Sequence, residues 1–431
     1  MTHQFNEQIR QKILGKRMNA PVEEIDVIKL PEGFHALRSE WRELWVRAKG
    51  LHHESFDVCW IAWDCVAKRT GKSLRIVTAR HNGKLIAVWP LVRSRNRLWT
   101  MLRPLGPDSA DYTTILVDPE HSSDKLIELI WLAARKHCAS DIILLPFLDC
   151  ESHLYRLAME HDGLVTHKED PCAVARLSRE VNWESFAGSL GTLSGRKAGA
   201  LRRRLERQGK VDVRVLGPED GDNNVCMIDW MLASKRDWAE RVDKKGQWLY
   251  SSIYRDYLIA LANQKSEGDE EACARILVLS MNDAPIAVCM VGMGKQRILG
   301  IMNSFDRQHA KLAPGAIAME AWVRWAIEHG NDFDLGVGSE TFKPYWSKGN
   351  ISRVSSIEIA HSAWGRVAYA MRDGASRLSA IRADMRRGKV AAGPAKTHHA
   401  HGAASNANPG ESDERPDEPS SPERTGAERE S

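Results

Sequence analysis

Leu74-Arg75-Ile76-Val77-Thr78-Ala79-Arg80, then His81-Asn82-Gly83, then Lys84-Leu85-Ile86-Ala87-Val88-Trp89 reads as strand, tight turn and strand. Ala274-Arg275-Ile276-Leu277-Val278-Leu279-Ser280, Met281-Asn282-Asp283 and Ala284-Pro285-Ile286-Ala287-Val288-Cys289 read the same way. Arg75 and Arg275, Ile76 and Ile276, Ile86 and Ile286, Ala87 and Ala287, and Val88 and Val288 align without a gap. An echo at this distance lies far beyond solenoid periods, so the chain reads as two copies of one domain. Function is expected where the copies differ.

Around the first hairpin, Phe34 to Lys49 has helical spacing, and Trp60, Trp63 and Val66 suggest a second helix. Leu98–Leu105 and Thr113–Val117 follow as strands, then a helix capped by Ser122 or Ser123, then the short strand Asp141–Leu145. The second copy repeats that order. Val225–Trp238 and Ile253–Ala262 are helical, 274–293 is the hairpin, and Arg297–Asn303 is a strand. A helix over Pro314–Glu328 ends at Gly330 before the strand Asp332–Leu335. Mostly antiparallel strands with one helix crossing between the later ones predict a mixed α/β (α+β) sheet in each copy.

The expected organisation is a flexible start at 1–20, a first domain at 21–180, a second at 181–385 and a disordered tail at 386–431. After Val390 no Val, Leu, Ile, Met or aromatic residue occurs, so that segment cannot bury enough apolar surface to order itself. No run approaches the roughly 20 apolar residues of a membrane span, and the N-terminus lacks an export signal's apolar stretch. Eight scattered cysteines without C-x-x-C favour reduced thiols in a cytoplasm over a disulfide or zinc framework. A net charge of +4 is too small to argue for nucleic acid, and DNA is not expected as a partner.

The loop before the crossing helix separates the copies. In the first it is Asp118-Pro119-Glu120-His121-Ser122-Ser123, acidic and capped by side chains. In the second it is Lys311-Leu312-Ala313-Pro314-Gly315-Ala316. Proline at the first helical turn has no N–H, and Gly315 and Ala316 leave the neighbouring amides uncrowded. Open amides at a positive helix end, with Arg307 and Lys311 nearby, suit a pyrophosphate. Any phosphate-bearing cofactor is therefore expected on the second copy.

Phe305-Asp306-Arg307, Leu312-Ala313-Pro314-Gly315, Gly330-Asn331-Asp332-Phe333-Asp334-Leu335-Gly336 and Thr341-Phe342-Lys343, with Lys235-Arg236-Asp237-Trp238 upstream, resemble a known family. It is the BioF2-like (CelD-like) branch of the GNAT acetyltransferases, in which two GNAT-type folds occur in tandem; Fem-type aminoacyl-transferases share the architecture. The resemblance runs from about Val27 to Met371. Against the usual glycine-rich loop, alanine stands at Ala313 and Ala310, and Phe305 and Phe342 replace frequent tyrosines.

What the resemblance implies is acyl transfer from a thioester, acetyl-CoA or another acyl-CoA, to an amine or hydroxyl, without a metal. Asp334 and Glu340 are the candidate bases, and Tyr345 the candidate donor to a leaving thiolate. Arg307, Lys311, Ala313, Pro314, Gly315 and Ala316 are expected at the cofactor. Lys343, Trp346, Arg203 and Trp238 are expected at the acceptor, a small molecule or glycan, or a phosphate-bearing or lipid-linked substrate. Cell-envelope polysaccharide biosynthesis is the hinted setting. The alternatives are a Fem-type enzyme using aminoacyl-tRNA and an inactive GNAT-like scaffold.

Between the copies, Ser194 to Lys210 predicts a basic helix with seven cations against Glu206. Its field suits phosphates, and is the feature that keeps tRNA open. Gly292-Met293-Gly294 lies between two strands, so it is not a dinucleotide fingerprint. Ser304 and Asp306 are weaker site candidates, and His309 is expected to face solvent.

Overall fold

The computed structural model describes residues 24–372, apart from 97, 108–111, 194, 244–245 and 266–271. The segments 1–20 and 386–431 lie outside the described residues. In the first repeat the strands are β1 (Glu24–Ile28), β2 (Ser73–His81), β3 (Lys84–Asn96), β4 (Trp99–Pro104), β5 (Leu116–Val117), β6 (Ile142–Asp149) and β7 (Leu164–Ala175). In the second they are β8 (Val211–Leu216), β9 (Ala274–Met281), β10 (Ala284–Met293), β11 (Arg297–Phe305), β12 (Asp332–Val337) and β13 (Ile351–Ala360).

The echo in the sequence is an echo in space. Both hairpins close through two residues of positive φ, Asn82 and Gly83 in one and Asn282 and Asp283 in the other, as two-residue turns with the right twist require. Both carry a register shift at the same place, which leaves Ile86 and Ile286 as the extra residues. The carbonyl freed there accepts from Asp118 N in the first repeat and from Asp306 N in the second, at 2.8 Å each.

All these strands belong to one mixed sheet, ordered β1-β2-β3-β4-β6-β13-β7-β12-β11-β10-β9-β8, with β5 paired to β3. Only β4–β6 and β11–β12 run parallel. The two repeats exchange their last strands: β13 lies between β6 and β7, and β7 lies beside β12.

On one face the helices of both repeats share a core. Phe34, Trp41 and Phe56 of the first join Ile228, Met231 and Leu258 of the second. On the other face each crossing helix packs over its own repeat. Leu126 and Ile130 of Asp124–His137 meet Ile143, while Trp322 and Val323 of Pro314–Glu328 meet Phe333. The predicted basic helix is shorter than expected. It spans Ala200–Glu206 and starts at Gly199, whose φ of 77° breaks the run from Arg196. Among the described residues no helix is long and apolar enough to cross a membrane.

Candidate functional site: a charged cleft between the repeats

β11 and β12 pair only over Arg297–Leu299 and Asp332–Asp334. Beyond Leu299 that edge of β11, Gly300 to Phe305, has no strand partner among the described residues. Unpaired backbone groups of this kind can accept an extended, amide-bearing chain. The helix Pro314–Glu328 begins beside the end of β11. Its N-cap, Ala313, is left-handed (φ 53°) and offers no side-chain cap. Ala316 N is not open as expected, because it bonds the Ala313 carbonyl at 3.1 Å. Among the described residues the Gly315 N–H has no partner, and Phe305 Cδ1 lies 3.3 Å from where a side chain on Gly315 would begin. Exposed Arg307 and Lys311 precede this tip with no carboxylate in salt-bridge reach among the described residues. Asp306 caps their turn by accepting from Gln308 N, and His309 Nδ1 lies 2.8 Å from Asp306 Oδ2.

The basic helix Ala200–Glu206 packs against both the Arg307–Leu312 turn and the crossing helix. Arg202 pairs with Glu206 and Lys210 with Asp283, whereas Arg196, Lys197, Arg203, Arg204 and Arg207 have no carboxylate partner among the described residues. The expected cofactor residues and Arg203 are thus brought to one end of the molecule.

A small cleft opens on the opposite face of the sheet, where the repeats meet. The first repeat contributes Leu51, His52, His53 and Tyr112, and the second Arg297, Leu299 and Asp334. Gly292 and Gly294 make this junction. A side chain on Gly292 would begin 2.5 Å from the His52 ring, and Lys295 N bonds the Gly50 carbonyl at 2.9 Å. The strand exchange supplies the rest, since β7 puts Cys172 beside β12.

Asp334 is buried. It accepts from Gly336 N at 2.8 Å and from the Tyr112 hydroxyl at 3.1 Å, with Cys172 Sγ 3.8 Å away. Burial raises its carboxyl above the ordinary aspartate value, against the pull of the Gly336 amide and Arg297. Burial also pushes the Tyr112 hydroxyl well up and the Cys172 thiol to about 12, so both stay protonated. His53 bonds Thr114 Oγ1 at 2.9 Å and is held down at about 4, first by burial and then by Arg297. His52 is held at about 3 by burial and then by His53, and its Nδ1 has no hydrogen-bond partner among the described residues.

The other expected groups lie elsewhere. Lys343 Nζ sits 2.7 Å from Glu340 Oε2 and donates to the Val337 carbonyl at 2.7 Å, with the two side chains 4% and 3% exposed. The pair occupies the space above Gly338, whose φ of 139° and missing side chain admit it. A buried ion pair therefore replaces the free base and the free acceptor-binding lysine expected here. Trp346 is also buried, stacked on Phe186 with 14° between the rings, instead of standing free for a sugar. Tyr345 packs edge-on to Trp346 beneath the crossing helix, on the face away from Asp334. Trp238 packs on the shared core with Lys235 Nζ 4.3 Å from its ring, and Ser304 donates to the Met231 carbonyl. Sequence reading missed His53, Tyr112, Cys172 and Arg297.

Residues 196–344 match the sequence profile of the acetyltransferase (GNAT) domain. That match lies within the second repeat. No curated protein matches the chain. Among solved structures it is similar to FemX, at 10% identity over 69% of this chain and 90% of that one, with a TM-score of 0.47. The C-terminal (DUF2156) domain of a putative lysylphosphatidylglycerol synthetase from Agrobacterium fabrum gives 13%, 73%, 95% and 0.46 in the same terms. A tandem GNAT protein from the clavulanic acid biosynthesis pathway gives 13%, 79%, 99% and 0.42. Scores this low leave function to this chain's own residues.

Proposed function

We propose that this protein is an acyltransferase that takes an acyl group from acyl-CoA, acetyl-CoA in the simplest case, and passes it to an amine or hydroxyl. The observation that carries the reading is the uncapped tip of the helix Pro314–Glu328 beside the unpaired edge of β11, inside the GNAT-matching region. The Gly315 amide, Arg307 and Lys311 hold the donor's phosphates, and the β11 edge orients its amide-bearing arm. Asp334 takes the proton from the acceptor as its nitrogen or oxygen bonds to the acyl carbon. The C–S bond breaks, and the thiolate leaves and takes a proton from solvent. Burial poises Asp334 for this by raising its affinity for the proton.

Arg196, Lys197, Arg203, Arg204 and Arg207, without carboxylate partners among the described residues, add more positive charge to Arg307 and Lys311 than one pyrophosphate needs, and this favours a second reading in which the donor is an aminoacyl-tRNA. Titrating the protein and its Arg307→Ala/Lys311→Ala variant with acetyl-CoA, and separately with tRNA at rising salt, tests both. The acyl-CoA reading expects acetyl-CoA to bind and the variant to bind about tenfold more weakly. It fails if acetyl-CoA does not bind, while tRNA affinity falling steeply with salt would carry the second reading.

A further inference from the structure

Among the described residues Arg297 is the one cation lining the cleft between the repeats. It is half-buried, and among the described residues its guanidinium meets no carboxylate or carbonyl oxygen at hydrogen-bond distance. Among the described residues no neighbour pairs with it. His52 and His53 are neutral. The buried carboxyls of Asp334 and Glu54 feel its charge but lie beyond salt-bridge reach, their oxygens turned to Gly336 N, the Tyr112 hydroxyl and Leu51 N, and Asp332, opposite it in register, pairs with Arg176. Holding an unpaired guanidinium partly out of water is costly unless something repays it.

The fold itself does not require this charge. The parallel pair β4–β6 of the first repeat sets Met101 opposite Ile142 and Leu102 opposite Ile143, as β11–β12 sets Arg297 opposite Asp332 and Ile298 opposite Phe333. Leu102 and Ile143, like Ile298 and Phe333, face the crossing helix, so register and face agree. Met101 and Leu144 therefore hold the places of Arg297 and Asp334. Both pack in an apolar cluster with Tyr369 and Ile142.

We infer that the cleft is the acceptor pocket and that Arg297 binds an anionic group of the acceptor, a carboxylate or a phosphate, close to the atom that Asp334 deprotonates. A planar fork of N–H donors suits either oxyanion. The half of the inference that concerns Asp334 rests on the acyltransferase reading, but the anion site does not. It narrows the acceptor to an amino- or hydroxy-acid or a phosphate-bearing amine or sugar, and excludes neutral amines and sugars.

Thermal unfolding of the whole protein with glycine, O-phosphoethanolamine or ethanolamine, repeated on Arg297→Met and Arg297→Lys, tests it. A rise in melting temperature with glycine or with O-phosphoethanolamine, absent with ethanolamine, supports the anion site and tells carboxylate from phosphate. The rise should vanish in Arg297→Met and survive in part in Arg297→Lys. Without ligand, Arg297→Met should melt no lower than the parent, because no ion pair is lost. Three results overturn the inference: no rise with either anion, a rise that persists in Arg297→Met, or ligand-free Arg297→Met melting several degrees lower. Acetyl-CoA titration of the same proteins separates the two readings. If acetyl-CoA fails to bind but the anion effect holds, the acyltransferase reading falls and the anion site stands.

Discussion

The two parallel strand pairs of this molecule have the same register and opposite chemistry. Between β4 and β6 the hollow on the crossing helix's far side is apolar, lined by Met101 and Leu144 and occupied by Tyr369. Between β11 and β12 the same hollow holds Arg297 and Asp334 and stays open. The helix tips differ in step. Ser123 Oγ accepts from Leu126 N at 3.3 Å in the first repeat, whereas Ala313, at the same place in the second, has no side chain that can cap its helix. The turns before them began alike, as Asp118 and Asp306 each cap a short helical turn with a histidine three residues on. The acidic first-repeat turn is neutralised, with Asp118 Oδ2 3.1 Å from Arg47 and 3.7 Å from Lys84. One repeat has been closed with hydrocarbon, a hydroxyl and an ion pair, and the other has kept its polar groups unspent. A repeat that had only to hold the sheet together would have no reason to bear that cost.

The comparison breaks most readily at Asp334. Asp334→Asn should lower turnover by roughly two to four orders of magnitude while acetyl-CoA still binds, as expected for a lost general base. In the parent protein the rate should rise with pH as Asp334 loses its proton, with a midpoint above the ordinary aspartate value because burial favours the acid. Loss of a core aromatic comes next. Tyr369→Ala should cost about 3 kcal/mol in denaturant unfolding by emptying the first repeat's hollow, and leave donor affinity unchanged.

Acid acts on the junction. His52 is held neutral to about 3 in the folded chain but titrates near 6.5 unfolded, so its contribution is complete above 6.5 and is lost as pH falls below it. Between pH 7 and pH 5 this amounts to about 2 kcal/mol, and His52→Gln should flatten that slope. Removing the first repeat's cap is the smallest change: Ser123→Ala should cost about 1 kcal/mol and leave acetyl-CoA binding untouched.

Much of the fold was legible because the repeats spell the same hairpin, with Asn82 and Asn282 at the same turn and the same bulge behind each. The crossing helices were legible from their caps and periodicity. The exchange of β7 and β13 was not, because period-two patterns in Leu164–Ala175 and Ile351–Ala360 say nothing about which neighbour each will pair with. The site divided along the same line. Gly315, Arg307, Lys311 and Asp334 were singled out from local chemistry, and the structure sets the first three at one helix end and Asp334 in the cleft. Tyr112 and Cys172 reach Asp334 only through tertiary packing, and Glu340 and Lys343 looked free only because the bare Gly338 above them could not be foreseen. Arg297 could have been found by setting β4 against β11, where an arginine replaces Met101.

Calorimetric titration with acetyl-CoA of the parent protein and of Gly315→Asp puts the asymmetry to its most direct test. One donor should bind per chain, and a carboxylate at the second repeat's open tip should abolish the heat. Two donors per chain, or heat undiminished in Gly315→Asp, would contradict the account.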